Sequence, residues 1–252
     1  MKNENQIVMK NFKVIKRLLK EQNIEVNSVD ELKNMCNANW YEIVQYLPIQ
    51  KYQKDFEVIG VYYNKSVNGL VYCDSGEITV GGQSNVYAIN CKITLKQNSD
   101  AVVFNCEVTA MDASKVFSNK SKVLQLDNSY SNLNNSFAVL KDNSFTNATN
   151  STVLDKSNGL SSYCNCRVKC RGNHSNVNDS VVDVYGCEVH VNNSQVYAVN
   201  SNVNAWHCVI DSKDSNLILK SGNKVKVDGG NIYEYMFCQN EIEGETNIIR
   251  MQ

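Results

Sequence analysis

Apolar and polar positions repeat along most of this chain on a beat of seven to eight residues. The stretch "NSQVYAVNSNVNAWHCVID" shows the unit: Ser194, Ser201 and Cys208 stand seven apart, each followed two residues later by Val196, Val203 or Ile210. The same small residue, always Ser, Cys, Gly or Asn, recurs from Gly69 through Gly76, Ser84, Cys91, Ser99 and Cys106 to Asn173, Gly230 and Cys238. Four positions after it the residue is again mostly apolar, as at Val80, Ala88, Leu95, Val103, Val184, Val191, Ala198 and Leu219. Side chains alternate along a strand, so positions 0, +2 and +4 share one face. Each unit therefore reads as a strand of about five residues with a small, then branched, then apolar inward face. The residue before the small position is usually Asn, as at 68, 90, 98, 105, 128, 135, 143, 150, 158, 165, 193 and 200, or Asp at 179 and 214, or Gly at 172, 186, 222 and 229. These are the residues that tolerate a left-handed corner.

Strand and corner in strict succession predict a mainly β fold, a parallel β-solenoid. The alternation of seven and eight favours two walls with about 15 residues per rung, and three walls is the alternative. Twenty-four units make about 12 rungs, roughly 55–60 Å at the inter-strand spacing. In this pattern residues 69 to 238 resemble the broad class of parallel β-solenoid (β-helix) repeat proteins, without the shorter step of hexapeptide or pentapeptide repeats. That resemblance implies a fold and no particular activity.

The ends have a different texture. Val8, Phe12, Ile15 and Leu19 share one helical face, with Lys10, Lys13, Lys16, Arg17 and Lys20 around it. Ser28 and Glu31 form a capping box for a second helix carrying Val29, Leu32, Cys36, Trp40, Ile43 and Leu47, which Pro48 ends. "FEVIGVYY" then reads as a strand entering the coil. The expected organisation is a helical N-terminal cap over 1–55, the solenoid over 56–238, and a C-terminal cap or tail over 239–252. An open coil exposes strand edges that such segments cover.

Charge and composition narrow the function classes. The net charge of −1 offers no general attraction to nucleic acid, so the basic face of the first helix is the one candidate contact, and a solvated cap-helix face is the preferred reading. No run of apolar residues is long enough for a membrane span. Ten cysteines behind a start without a secretory pattern point to free thiols in a reducing, cytoplasmic compartment. Six of the ten occupy the small inward position, and Cys73 and Cys170 the +4 position, as small buried residues do. Cys164, Cys166 and Cys170 are close in sequence, yet alternation puts Cys164 at a strand end and the others inside, so no metal site is expected. His174 and His190 are expected to face outward on neighbouring rungs beside Glu188, with no nucleophile or third ligand. No column of paired carboxylates suits glycoside hydrolysis, and no cofactor-binding loop is present. Thr79, Thr94 and Thr109 form a short outward ladder, too small and too charged for an ice-binding surface.

One outward signal remains. Between about 117 and 160, Phe117, Leu124, Tyr130, Phe137, Val139, Phe145, Leu154 and Leu160 fall on outward phases. Their inward neighbours shrink to Ser131, Ala138, Thr146 and Ser161, while Leu133 and Leu140 keep the inward phase. The preferred reading is an exposed apolar patch for a protein partner or for self-association; the alternative is a local bulge that turns these side chains inward. The expectation is thus a non-catalytic protein-binding module. The Asn-, Lys- and Ile-rich wording suggests a bacterial or bacteriophage genome and, with it, an inhibitor of a host defence protein. A structural virion or appendage component is the alternative, and a carbohydrate-active enzyme the least favoured.

Overall fold

The computed structural model describes residues 8–171, 174–235 and 239–251. Gly172, Asn173, Cys238 and the side chain of His174, all named above, lie outside the described residues. Among the described residues most strands are short and pair in parallel with the next strand but one, so the coil has two walls; the last three, Val209–Leu219, Lys224–Tyr235 and Glu241–Met251, each run through both walls and pair in parallel with one another in succession. One wall begins with Leu70–Cys73, Asn85–Ile89 and Asp100–Phe104; the other with Glu77–Val80, Lys92–Leu95 and Glu107–Ala110. We call them the first and second wall. The coil makes about 12 turns.

Rungs are 15 residues long until Thr152 pairs with Arg167, and 14 where Arg167 pairs with Val181 and Asn202 with Asn216. The two corners of a rung differ. Leaving the first wall, one residue at φ near +50° makes the turn: Asn90, Asn105, Lys120, Asn135, Asn150, Asn165, Asp179, Asn193 or His207. Leaving the second wall in the 15-residue rungs, the corner is one residue longer, and at two of them the left-handed residue is Asp127 or Asp142. Asn128 and Asn143, expected at the corner, follow those aspartates and are not left-handed. From Cys187 the second corner shortens to the tight form, with Gly186, Asn200 and Asp214 left-handed.

The small residues have a hydrogen-bonding task beyond fitting a narrow corner. Along the first corner the N–H of Cys106 donates to Ser121 Oγ (3.1 Å), that of Ser121 to Ser136 Oγ (3.2 Å), and that of Ser136 to Ser151 Oγ (3.1 Å). Each hydroxyl in turn donates to the carbonyl two residues back, as Ser136 does to Asn134 (2.8 Å). Cysteine substitutes in the same ladder: Cys91 N–H donates to Cys106 Sγ (3.4 Å), and Cys106 Sγ donates to Phe104 O (3.2 Å). These cysteines are therefore ladder members and not only small apolar fillers. The ladder supplies corner N–H groups that no strand partner reaches, and burial makes such pairing obligatory.

Inside, Val, Ile, Leu and Ala of both walls form one continuous core. Leu133 and Leu140 are buried in it as expected. Where Ser131, Thr146 and Ser161 thin the core, polar side chains fill it. Gln125 Oε1 accepts from Ser131 Oγ (2.6 Å), which also meets Thr146 Oγ1 (2.7 Å). Fully buried Asp155 accepts from the Ser157 N–H (2.9 Å), the Ser157 hydroxyl (2.7 Å) and the Tyr163 hydroxyl. Burial raises the Asp155 carboxyl above its ordinary pKa, and these donors oppose the rise.

The N-terminal segment folds as helices α1 (Phe12–Glu21), α2 (Val29–Ile43) and α3 (Gln53–Glu57), with a 3-10 turn Val44–Tyr46 following α2. Ser28 Oγ accepts the Glu31 N–H (3.1 Å), as its capping role requires, while Glu31 reaches the Asn27 N–H (2.6 Å). Val8 is exposed, and neighbouring Met9 is buried in its place. "FEVIGVYY" is not one strand. Phe56 and Glu57 end α3, Gly60 turns at φ +83°, and only Val61–Tyr63 is extended. The reason is packing: Phe56 and Ile59 anchor in the helical core, and Asp55 ties α3 to α1 through the Asn11 N–H (3.1 Å) and Asn11 Nδ2 (2.8 Å). At the other end Glu241–Met251 is one more strand, paired in parallel with Lys224–Tyr235. It extends the coil instead of closing it, so Ile248 stands over buried Ile232 and is itself 46% exposed.

Candidate protein-binding surface

The eight outward apolar residues do face outward, but they do not make one patch. Phe117, Tyr130, Phe145 and Leu160 lie on the first wall; Leu124, Phe137, Val139 and Leu154 lie on the second. A step of seven or eight crosses a corner, so neighbours in this sequence pattern alternate between opposite faces. The local bulge does not occur: Phe117, Phe137, Phe145 and Leu160 are 42, 46, 41 and 63% exposed.

On the second wall Leu124, Val139 and Leu154 stack in register, with Thr109 below and Lys169 above. Phe137 stands between Lys122 and Thr152 in the adjoining column. Lower on this wall the expected threonine ladder is in register, beside a column Glu77–Lys92–Glu107–Lys122 with ion pairs of 2.9 Å and 3.3 Å. Exposed pairs of this kind contribute little stability.

The first wall has a longer apolar column. Tyr63, Tyr72, Tyr87, Val102 and Phe117 follow one another in register. Ring centroids are 6.0 Å apart for Tyr63–Tyr72 and 6.2 Å for Tyr72–Tyr87, and Phe104 adds a contact at 5.6 Å to Tyr87. The helices lie against this column as well as at the coil's end. Tyr87 belongs to the helical core, and Tyr63, Tyr72, Val102 and Phe104 pack on it. Tyr41 of α2 donates its hydroxyl to the Asp100 carbonyl (3.0 Å), which pins the helix to the wall. Burial and the Asp100 charge push the Tyr41 phenol above its usual pKa.

Cover stops one rung later. Phe117 is the first uncovered member of the column, and a groove of about 250 Å³ opens beside it between Val102, Phe104, Asn119 and Asn132. Tyr130 and Phe145 continue the apolar surface in the adjoining column with centroids 5.0 Å apart, and Asn147 Nδ2 donates to the Tyr130 hydroxyl (3.0 Å). Each residue of this column from Tyr72 to Phe117 falls three after a small position, in phase with the strand repeat, but only the 117–160 stretch departs visibly from its surroundings in sequence.

The other candidates stay apart. Lys10, Lys13, Arg17 and Lys20 are exposed on the outer side of the cap, and Lys16 bonds Asn27 Oδ1 (3.2 Å). In register, His174 pairs with Glu188, and His190 with Asn176 and Asn204, so the two histidines occupy different columns of the first wall. Cys164 is exposed whereas Cys166 and Cys170 are buried. Among the described residues no three His, Cys, Asp or Glu side chains converge as metal ligands do, and no helix is long and apolar enough to cross a membrane. No family model, curated protein or solved structure matches this chain.

Proposed function

We propose that this chain is a non-catalytic protein-binding rod whose first wall, just beyond the helical cap, receives the apolar face of a partner helix. The observation that supports it is the continuity of one column: Tyr72, Tyr87 and Val102 hold the chain's own helices, and Phe117 extends the same chemistry without cover. A wall that already binds an amphipathic helix offers a second one the same ridge of aromatic rings. Aromatic anchors at such a site contribute about 2 kcal/mol or more each, close to thirtyfold in affinity. The finer form of the proposal makes the partner a host protein, and the chain a cytoplasmic inhibitor encoded by a phage or mobile element; its support is composition.

The test compares Phe117→Ser/Phe145→Ser on the first wall with Phe137→Ser/Leu154→Ser on the second. Partner capture from bacterial lysate and sedimentation are measured together with melting temperature. The first-wall variant is expected to lose the complex at an unchanged melting temperature. Loss by the second-wall variant alone, or capture unaffected by either, would refute the assignment. A structural, self-assembling role is the second reading, favoured by the exposed Ile248 and Ile249 of the strand Glu241–Met251; concentration-dependent association that survives both variants would support it.

A further inference from the structure

We propose that Cys73 and Cys91 are an oxidation site, the pair of thiols that closes to a disulfide and staples the first full rung to the second. Cys73 ends the first-wall strand Leu70–Cys73, opposite Ala88 of the next rung, and Cys91 is that rung's corner residue. Both side chains point into the coil and are buried. Their sulfurs stand 2.7 Å apart. That is closer than hydrogen-bonded thiols rest and within reach of the bonded separation of about 2.05 Å.

The topology makes the meeting systematic. A first-wall residue at +4 meets the corner residue of the following rung elsewhere too, as Ser118 Oγ meets Ser136 Oγ at 3.1 Å. Further along, Ala148 O takes the Cys166 thiol (3.3 Å) and Ala205 O takes Asn223 Nδ2 (3.3 Å). Along this edge, among the described residues, only 73 and 91 fill the two positions with cysteine. The two thiols share one hydrogen bond, and that contact holds Cys73 below the ordinary thiol pKa, which makes Cys73 the attacking group.

The folded rungs bury both thiols, so the reaction belongs to folding or to opening of this end of the coil, and it is thiol–disulfide exchange with a low-molecular-weight disulfide such as oxidised glutathione. Cys73 thiolate attacks one of its sulfurs and releases one glutathione thiolate. Cys91, on losing its proton, then displaces the second glutathione from the mixed disulfide. The protein loses two hydrogens and two electrons, and two reduced glutathiones leave. Cys106, whose Sγ accepts the Cys91 N–H, is the competitor, held down to about 7 by the Cys91 thiol and then by backbone N–H groups.

The full chain is oxidised with glutathione disulfide in two ways: as the native protein, and during refolding from denaturant. It is then alkylated and digested without reductant. No Lys or Arg separates the two cysteines, but Glu77 does, and Lys92 separates Cys91 from Cys106, so trypsin with a glutamyl endopeptidase resolves the pairings among 73, 91 and 106. The expected result is a 73–91 linked peptide in at least one arm and a melting temperature about 5–10 °C above the reduced protein. Cys73→Ser and Cys91→Ser should each abolish both. A 91–106 link, or oxidation confined to the exposed Cys164 with 73 and 91 left free in both arms, would overturn the proposal.

Discussion

Asp155 gives the sharpest test of the polar section of the core. Its carboxyl is fully buried and is held by the Tyr163 hydroxyl, the Ser157 hydroxyl and the Ser157 N–H. Burial is the dominant influence and raises its pKa above the model-peptide value of 3.8. The folded chain then binds this proton more tightly than the unfolded chain does. Stability from this group is therefore greatest when both states are protonated, and it falls as pH rises from about 3.8 through the folded pKa. Each unit of upward shift corresponds to about 1.4 kcal/mol. Asp155→Asn keeps the shape and removes the titration, so its melting temperature relative to wild type should climb as pH rises above about 4. Asp155→Ala instead leaves three buried donors unpaired, at about 1–3 kcal/mol each, and should destabilise by several kcal/mol at any pH. Thermal denaturation of the three proteins across that rise in pH decides. A wild type that gains stability relative to Asp155→Asn with rising pH would refute the reasoning, because it would mean that the fold lowers the carboxyl's pKa.

Asn200 has φ +49°, so Asn200→Val should destabilise by about 1–2 kcal/mol and Asn200→Gly should be nearly neutral; equal effects in urea titration would argue against the corner. Ser136→Ala removes the acceptor of the Ser121 N–H and should cost about 1–3 kcal/mol, whereas Ser136→Cys should be close to neutral, since cysteine holds the same ladder position at 91, 106 and 166. Alkylation of the reduced native protein should modify Cys164 quickly and the buried thiols only after denaturation; Cys36, whose burial pushes it up to about 12, should be among the slowest.

The coil was legible because one constraint governs every rung: a narrow corner accepts only Ser, Cys, Gly or Asn, and this prints itself on the sequence each time the chain turns. Wall number followed from rung regularity. What period alone did not convey was chemistry inside the period. The +4 rule that places Ala148 inward also places Gln125, Asp155 and Tyr163 inward, but polar identity at those positions reads as a thinned core until their mutual hydrogen bonds are seen. The apolar residues of 117–160 face outward, as their phase predicts, but they do not form one surface, because sequence proximity across a corner means opposite walls. The exposure of Phe117 depends on how far the helices cover the first wall, and Tyr41 ties them to it at Asp100, a contact between residues 59 apart that no local pattern announces.

The most direct measurement is hydroxyl-radical footprinting of the aromatic side chains in the free chain and in its complex with the captured partner. Phe117, Tyr130 and Phe145 should lose reactivity severalfold on binding while Phe137, on the opposite wall, stays as reactive as in the free chain. Protection of Phe137 with the first-wall aromatics unchanged would contradict the account.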